Sequence, residues 1–230
     1  MTPKLPKRKA TRVWFFDLDN TLHDASHAAF GPTNQAMTDY IAAHLGLAHD
    51  DAAALRQHYW HRYGATLPGL VRHHGVQAGH FLHQTHLLPG LEERLRTSAH
   101  DRAALQRLAG RKYILTNAPR AYALRVLAAL RLGPCFDGVI SIEAMAMFGQ
   151  LRPKPDARML RRVAARLRVL PAHCVLVEDT LVHLKAARRV GMGTVWMQRW
   201  LSPHAKRPPA RTRRRPVYVD RRVTRLRGLA

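Results

Sequence analysis

The chain has 230 residues, 47% of them apolar, two cysteines, and 38 Lys and Arg against 15 Asp and Glu, a formal charge of +23. That composition excludes a disordered or disulfide-framed chain, and the length fits one large domain or a core with a smaller insert. Such a surface attracts polyanions, so weak nonspecific nucleic-acid binding is expected from charge alone.

Residues 1–12 are basic and contain proline, and read as a mobile lead-in. They lack the apolar stretch of a signal peptide, and no window reaches the length of a membrane span. Cys135 and Cys174 form no C-x-x-C and suit buried positions in a reducing compartment, so a cytoplasmic protein is expected. Val13 to Phe16 is a continuous apolar run, as in a strand covered on both faces. From His23 to Pro89 apolar residues recur at helical spacing (Met37, Tyr40, Ile41, Leu45, then Leu55, Tyr59, Tyr63), with breaks expected at Gly46, Gly64, Pro68 and Gly75. That pattern predicts a compact group of helices.

After Pro89-Gly90 strands and helices alternate. Helices are predicted at 101–108 with Asp101 as N-cap, and at 121–130, 156–167 and 181–190. Strands are predicted at 112–115, 138–141, 174–177 and 194–197, and PVYVD before RRVTRLRGL suggests a last strand and helix. The basic run 205–216 precedes them as a second mobile segment. This alternation predicts an α/β fold: a parallel sheet with helices on both faces, interrupted after its first strand by a helical insert. The expected division is a core of 1–22 and 90–230, and an insert of 23–89.

Three of the predicted core strands end in chemically capable residues. The first runs into Asp17-Leu-Asp19-Asn-Thr21, the second into Thr116-Asn117, and a later one into Glu178-Asp179; Lys154 sits in the loop Arg152-Pro-Lys-Pro155 before a helix. In such a sheet all four elements reach one edge, where ligands bind. Asp17, Asp179 and Glu178 are hard oxygen donors suited to a shared Mg²⁺. Asp17 is placed to attack phosphorus, and Asp19 to protonate a leaving oxygen and then activate water. Thr116 and Lys154 suit the oxygens of a transferring phosphoryl group.

D-x-D-x-T after an apolar strand, then T-N, then R-P-K-P, then V-E-D, resembles the haloacid dehalogenase (HAD) superfamily over roughly residues 13 to 200. The resemblance implies a HAD-like Rossmannoid core with a helical cap at 23–89. It implies Asp17 as nucleophile and metal ligand, and Asp19 as general acid/base that also binds metal through its backbone carbonyl. It further implies Thr116, Asn117 and Lys154 as phosphate-binding residues, Lys154 with a catalytic share, and Asp179 with Glu178 as the acidic metal site. An acid at position 19 favours phosphatase over dehalogenase, because carbon–halogen cleavage needs no proton donor to oxygen. The wording FFDLDNTL, YILTNA, CFDGVIS and LRPKPDARM resembles the pyrimidine 5′-nucleotidase branch, which implies Mg²⁺-dependent hydrolysis of nucleoside 5′-monophosphates. Other small phosphates, such as phosphoglycolate or a sugar phosphate, are the alternative substrates. His183 stands where relatives commonly have Asn or Asp, and is expected to hydrogen-bond Lys154 or water and to sensitise activity to pH.

Other features carry less. Nine histidines of the insert lie between His44 and His86, among them the helically spaced pairs His58/His61, His80/His83 and His83/His86, but no Cys or acid completes a zinc set. Trp14, Trp60, Trp196 and Trp200 read as packing residues, with Trp60 or Tyr59 a candidate to stack a base. A different class of function, a basic nucleic-acid-binding protein on the same fold, is motivated by the Arg-rich ends. Those runs lack the interleaved aromatics of a single-strand platform.

Overall fold

The computed structural model describes residues 12–96, 98–200 and 214–229. Most of the two basic runs, 1–12 and 205–216, lies outside the described residues. In chain order the elements are β1 (Val13–Phe16), α1 (Ala25–Ala28), α2 (Phe30–Leu45), α3 (His49–Tyr63), α4 (Thr66–His74), α5 (Ala78–Thr85), α6 (Leu91–Arg94) and α7 (Ala99–Arg107). Then follow β2 (Arg111–Leu115), α8 (Arg120–Ala129), β3 (Gly138–Ile140), the hairpin β4 (Ala146–Met147) and β5 (Gln150–Leu151), and α9 (Ala157–Arg166). Last come β6 (Cys174–Glu178), α10 (Leu181–Arg189), β7 (Gly193–Met197) and β8 (Arg221–Val223). No helix among the described residues is long and apolar enough to cross a membrane.

The main sheet is parallel, with strand order β3-β2-β1-β6-β7-β8. β1 lies at its centre because every residue of VWFF is apolar and finds cover. Trp14 and Phe16 point into the layer under α7 and α8, while Val13 and Phe15 point into the layer under α9 and α10. Burying such side chains contributes about 1.5–3 kcal/mol each. Chain order reverses beside β1: β2 and β3 extend the sheet one way, and β6, β7 and β8 the other. That switch point opens a crevice at the carboxyl ends of β1, β2 and β6.

The helices α2–α5 have an apolar centre of their own, built on Tyr40, Ile41, Tyr59, Leu67, Leu70 and Phe81, and Ile142 joins it from the core side. Gly46, Gly64 and Gly75 end α2, α3 and α4 in the left-handed conformation, as expected. Pro68 does not break the chain. It falls in the first turn of α4, where its missing N–H has no intrahelical acceptor to lose. Ser98, not Asp101, caps α7; Asp101 is buried in the first turn and pairs with Arg199. The last strand is RRV rather than PVYVD. Val219 N–H turns back to Pro216 O, and Asp220 is held by Thr194, so that stretch is a turn leading into β8. The hairpin β4–β5 gave no sequence signal at two residues per strand.

One close contact sets the density of the inserted helices. The Tyr59 ring lies on Gly69, where an added Cβ would sit 2.2 Å from Cγ. Gly69→Ala is therefore expected to destabilise the protein by about 1–3 kcal/mol, despite alanine's better helix propensity. Urea denaturation measures this; a stabilised variant would show that the ring has room to move.

Candidate active site

The crevice is built from four loops. At the end of β1 the chain turns sharply: Thr21 and Leu22 N–H both return to Leu18 O, and Asn20 takes φ 56°. Asparagine tolerates that left-handed backbone better than most residues, and its side chain locks the turn by bonding Ser26. Leu18 and Leu22 anchor the turn in the core. Asp17, between the strand and the turn, donates its N–H to Val177 O at 2.9 Å. This continues the pairing of Phe16 with Val177, so Asp17 and Glu178 reach the sheet edge side by side.

Lys154 enters from the loop before α9. Its Nζ lies 2.6 Å from Asp17 Oδ1 and 2.7 Å from Glu178 Oε2, and all three side chains are buried. The loop is held from behind by Asn117. Its Oδ1 accepts from Lys154 N–H at 2.9 Å, and its Nδ2 donates to Lys154 O at 3.0 Å and Gly64 O at 3.4 Å. The Asn117 carboxamide is thus committed to backbone, and it braces the Lys154 loop. Thr116 is buried at the end of β2, with Oγ1 accepting from Ala118 N–H. Asp179 is fixed through its backbone carbonyl, which accepts from Trp196 Nε1 at 2.9 Å, and through Thr180 Oγ1.

Three carboxylates meet one ammonium here. Asp17, Glu178 and Asp179 each offer an oxygen, all within 4.8 Å of one another, and no other such acid, His or Cys group exists among the described residues. Burial raises the Asp17 carboxyl to about 8, helped by the Glu178 charge and opposed by Lys154. Burial and Glu178 likewise raise Asp179 to about 10. Burial also works against the charge on Glu178, but Lys154 and His183 outweigh it and hold this acid well below the usual range. Lys154 is held above its ordinary value, the Asp17 and Glu178 charges outweighing burial. Such a cluster needs protons or a cation to relieve it, and its donors are the hard oxygens that Mg²⁺ takes. The cluster therefore fits a divalent cation.

Asp19 stands apart from this group. Its Oδ1 receives Tyr122 OH at 2.8 Å and lies 2.9 Å from His23 Nε2, and its carboxylate is not part of the acid cluster. His23 and Tyr122 were not marked by the sequence: one follows the motif as an ordinary residue, the other sits inside α8. His183 does not reach Lys154. Its Nδ1 is 3.1 Å from Glu178 Oε2, near enough for charge to matter but off the line of a hydrogen bond. The histidines of the insert build no metal site; His80 bonds Tyr40, and His86 bonds Leu82 O and Thr85. Tyr59 is buried with its hydroxyl on His74 and cannot stack a base, whereas Trp60 is 54% exposed. Trp14 and Trp196 are core residues.

The sequence model of the haloacid dehalogenase-like hydrolases matches residues 11–191. Phosphate metabolism protein 8 of Saccharomyces cerevisiae is 26% identical over 207 residues, covering 84% of this chain and 64% of that protein. A plasmid phosphoglycolate phosphatase of Cupriavidus necator is 34% identical over 106 residues, covering 46% of this chain and 41% of that one. The chain thus spans less than two thirds of the length of either relative. Among solved structures, a HAD phosphatase from Thermococcus onnurineus superposes with a TM-score of 0.60 at 20% identity, over 95% of each chain.

The raised acids give a signed prediction for the protein kept in EDTA. A carboxyl whose folded pKa exceeds its unfolded value costs no stability below the ordinary carboxylate range. The cost grows as pH rises and is complete above the folded pKa. Asp179→Asn removes that cost, so its gain in Tm over the wild type should be larger at pH 9 than at pH 5. Added Mg²⁺ should stabilise the wild type at pH 9 more than the variant. Thermal melts at the two pH values check both; a gain independent of pH would contradict the assignment.

Proposed function

The chain belongs to the haloacid dehalogenase-like hydrolases, and we propose that it is a Mg²⁺-dependent phosphomonoesterase working through an aspartyl-phosphate. One observation carries this reading: Asp17 sits at the sheet edge against Lys154 and two further acids, with a second acid, Asp19, two residues on and in a different environment. Asp17, Glu178 and Asp179 would hold the cation, with the Asp19 carbonyl. When bound there, Mg²⁺ supplies the positive charge that lets an anionic phosphate approach an anionic nucleophile.

The steps then fall to the chain's own residues. An Asp17 oxygen attacks phosphorus, the bond from phosphorus to the leaving oxygen breaks, and Asp19 gives its proton to that oxygen. Asp19, now a carboxylate, takes a proton from water while the water oxygen attacks phosphorus. The bond to Asp17 breaks and inorganic phosphate leaves. Lys154 neutralises part of the acid cluster, and Thr116 offers its hydroxyl to the phosphoryl oxygens.

Residues 23–89 act in this reading as a cap that selects the substrate. Its attachment supports this: Gly64, at the end of α3, lies so close to the Lys154–Pro155 backbone that a Cβ would meet Lys154 O at 2.4 Å. Nucleoside 5′-monophosphates, with pyrimidine bases preferred, are the proposed substrates. The half-exposed Trp60, one turn before Gly64, is the aromatic face offered to a base. The basic surface draws in dianionic phosphates, and its binding of nucleic acid is nonspecific.

Phosphate release from UMP, CMP, dTMP, AMP, phosphoglycolate and glucose phosphates, with Mg²⁺ and with EDTA, tests the proposal. Mg²⁺-dependent turnover of the pyrimidine nucleotides is expected, with a loss of about 10³-fold or more in Asp17→Asn. Preferred turnover of another member would keep the chemistry and change the substrate. No turnover by folded protein would end the hydrolase reading.

A further inference from the structure

The turn after β1 does more than present Asp19. Because Asn20 adopts the left-handed conformation, the chain doubles back and His23 returns beside Asp19 as an isolated bridge. His23 is completely buried, and its Nδ1 has no hydrogen-bond partner. A buried N–H without an acceptor is rarer and costlier than an idle lone pair, so the hydrogen belongs on Nε2. His23 then donates to Asp19 Oδ1 at 2.9 Å, and Tyr122 OH donates to the same oxygen at 2.8 Å. Tyr122 is itself fixed: it is buried in α8, and the His86 ring meets it edge-on at 5.8 Å.

Two donors on Oδ1 occupy both of its lone pairs and hold the carboxylate in one orientation. The other oxygen, Oδ2, is the only one left to carry a proton. The Asp19 side chain keeps 20% of its surface exposed, so a reacting group has access to it. We propose that His23 and Tyr122 are positioning residues that lock Asp19 so that proton transfer to the leaving oxygen, and later from water, runs through Oδ2 alone. The proposal rests on the phosphomonoesterase reading. It assigns a function to two residues, 99 positions apart, that bond the acid/base rather than the substrate.

The test compares an ester whose leaving group needs a proton with one whose leaving group does not. Wild type, Tyr122→Phe, His23→Leu and His23→Gln are assayed on the best alkyl phosphate of the panel and on p-nitrophenyl phosphate. The readout is kcat/KM, which reports departure of the leaving group and not the later hydrolysis at Asp17. Tyr122→Phe and His23→Leu are expected to lower it on the order of 100-fold for the alkyl ester and only a few-fold for the aryl ester. His23→Gln, whose amide N–H can stand in for Nε2–H, should recover most of the loss. Equal losses on both esters, or no advantage of Gln over Leu, would overturn the proposal. Tyr122→Phe keeps the ring and its packing, and decides the matter alone if His23→Leu does not fold. A wild type inactive on both esters would instead overturn the phosphomonoesterase reading, and this one with it.

Discussion

One buried ammonium organises the carboxyl edge of this sheet. Lys154 Nζ bridges Asp17 at the end of the central strand and Glu178 on its neighbour, and both acids are buried. Removing the lysine from such a cluster costs about 3–5 kcal/mol, because the acids are then left buried without a counter-charge. Much of the local architecture serves to keep the lysine there. Asn117 clamps its backbone on both sides, Asp156 caps the helix that follows, and Gly64 packs against its carbonyl. The inserted helices thereby touch the residue that bridges Asp17 and Glu178.

The same constraint explains why the site was readable in the sequence. A parallel strand covered on both faces must be apolar until it ends, so a polar pair such as Asp17 and Asp19 directly after VWFF marks the sheet edge. YIL before Thr116 and VLV before Glu178 carry the same signature. Register then does the rest, because adjacent strands of similar length deliver their end residues to one level. What escaped the sequence depends on contacts between distant residues or on backbone geometry. Tyr122 looks like any aromatic on a helix until the fold brings it to Asp19. Asn117 lies in the expected motif, but only the position of the Lys154 loop reveals that its amide is already engaged. Pro68 reads as a breaker unless the first turn of α4 is known to begin at Thr66, and PVYVD reads as a strand unless Asp220 is known to bind Thr194.

Charge is distributed with the same economy. The chain has fifteen acids, and four of them, Asp17, Asp19, Glu178 and Asp179, lie at the carboxyl edge of the sheet. The surplus arginine therefore dominates elsewhere, while the crevice concentrates negative charge around one lysine. A surface of this kind attracts anions without discriminating among them.

Asp17 and Asp19 show how two identical side chains, two residues apart, are given different chemistry. Asp17 is packed against Lys154, Glu178 and Asp179, where crowding and burial favour sharing a cation and where a lone pair can be aimed at an electrophile. Asp19 is turned away from that cluster by the Asn20 turn, and His23 and Tyr122 take one of its oxygens. A carboxyl in that setting keeps one oxygen for a proton that it can give and recover. Between them Leu18 is fully buried and anchors the turn that Asn20 reverses. Two acids of one motif thus receive different surroundings from one apolar anchor and one left-handed residue.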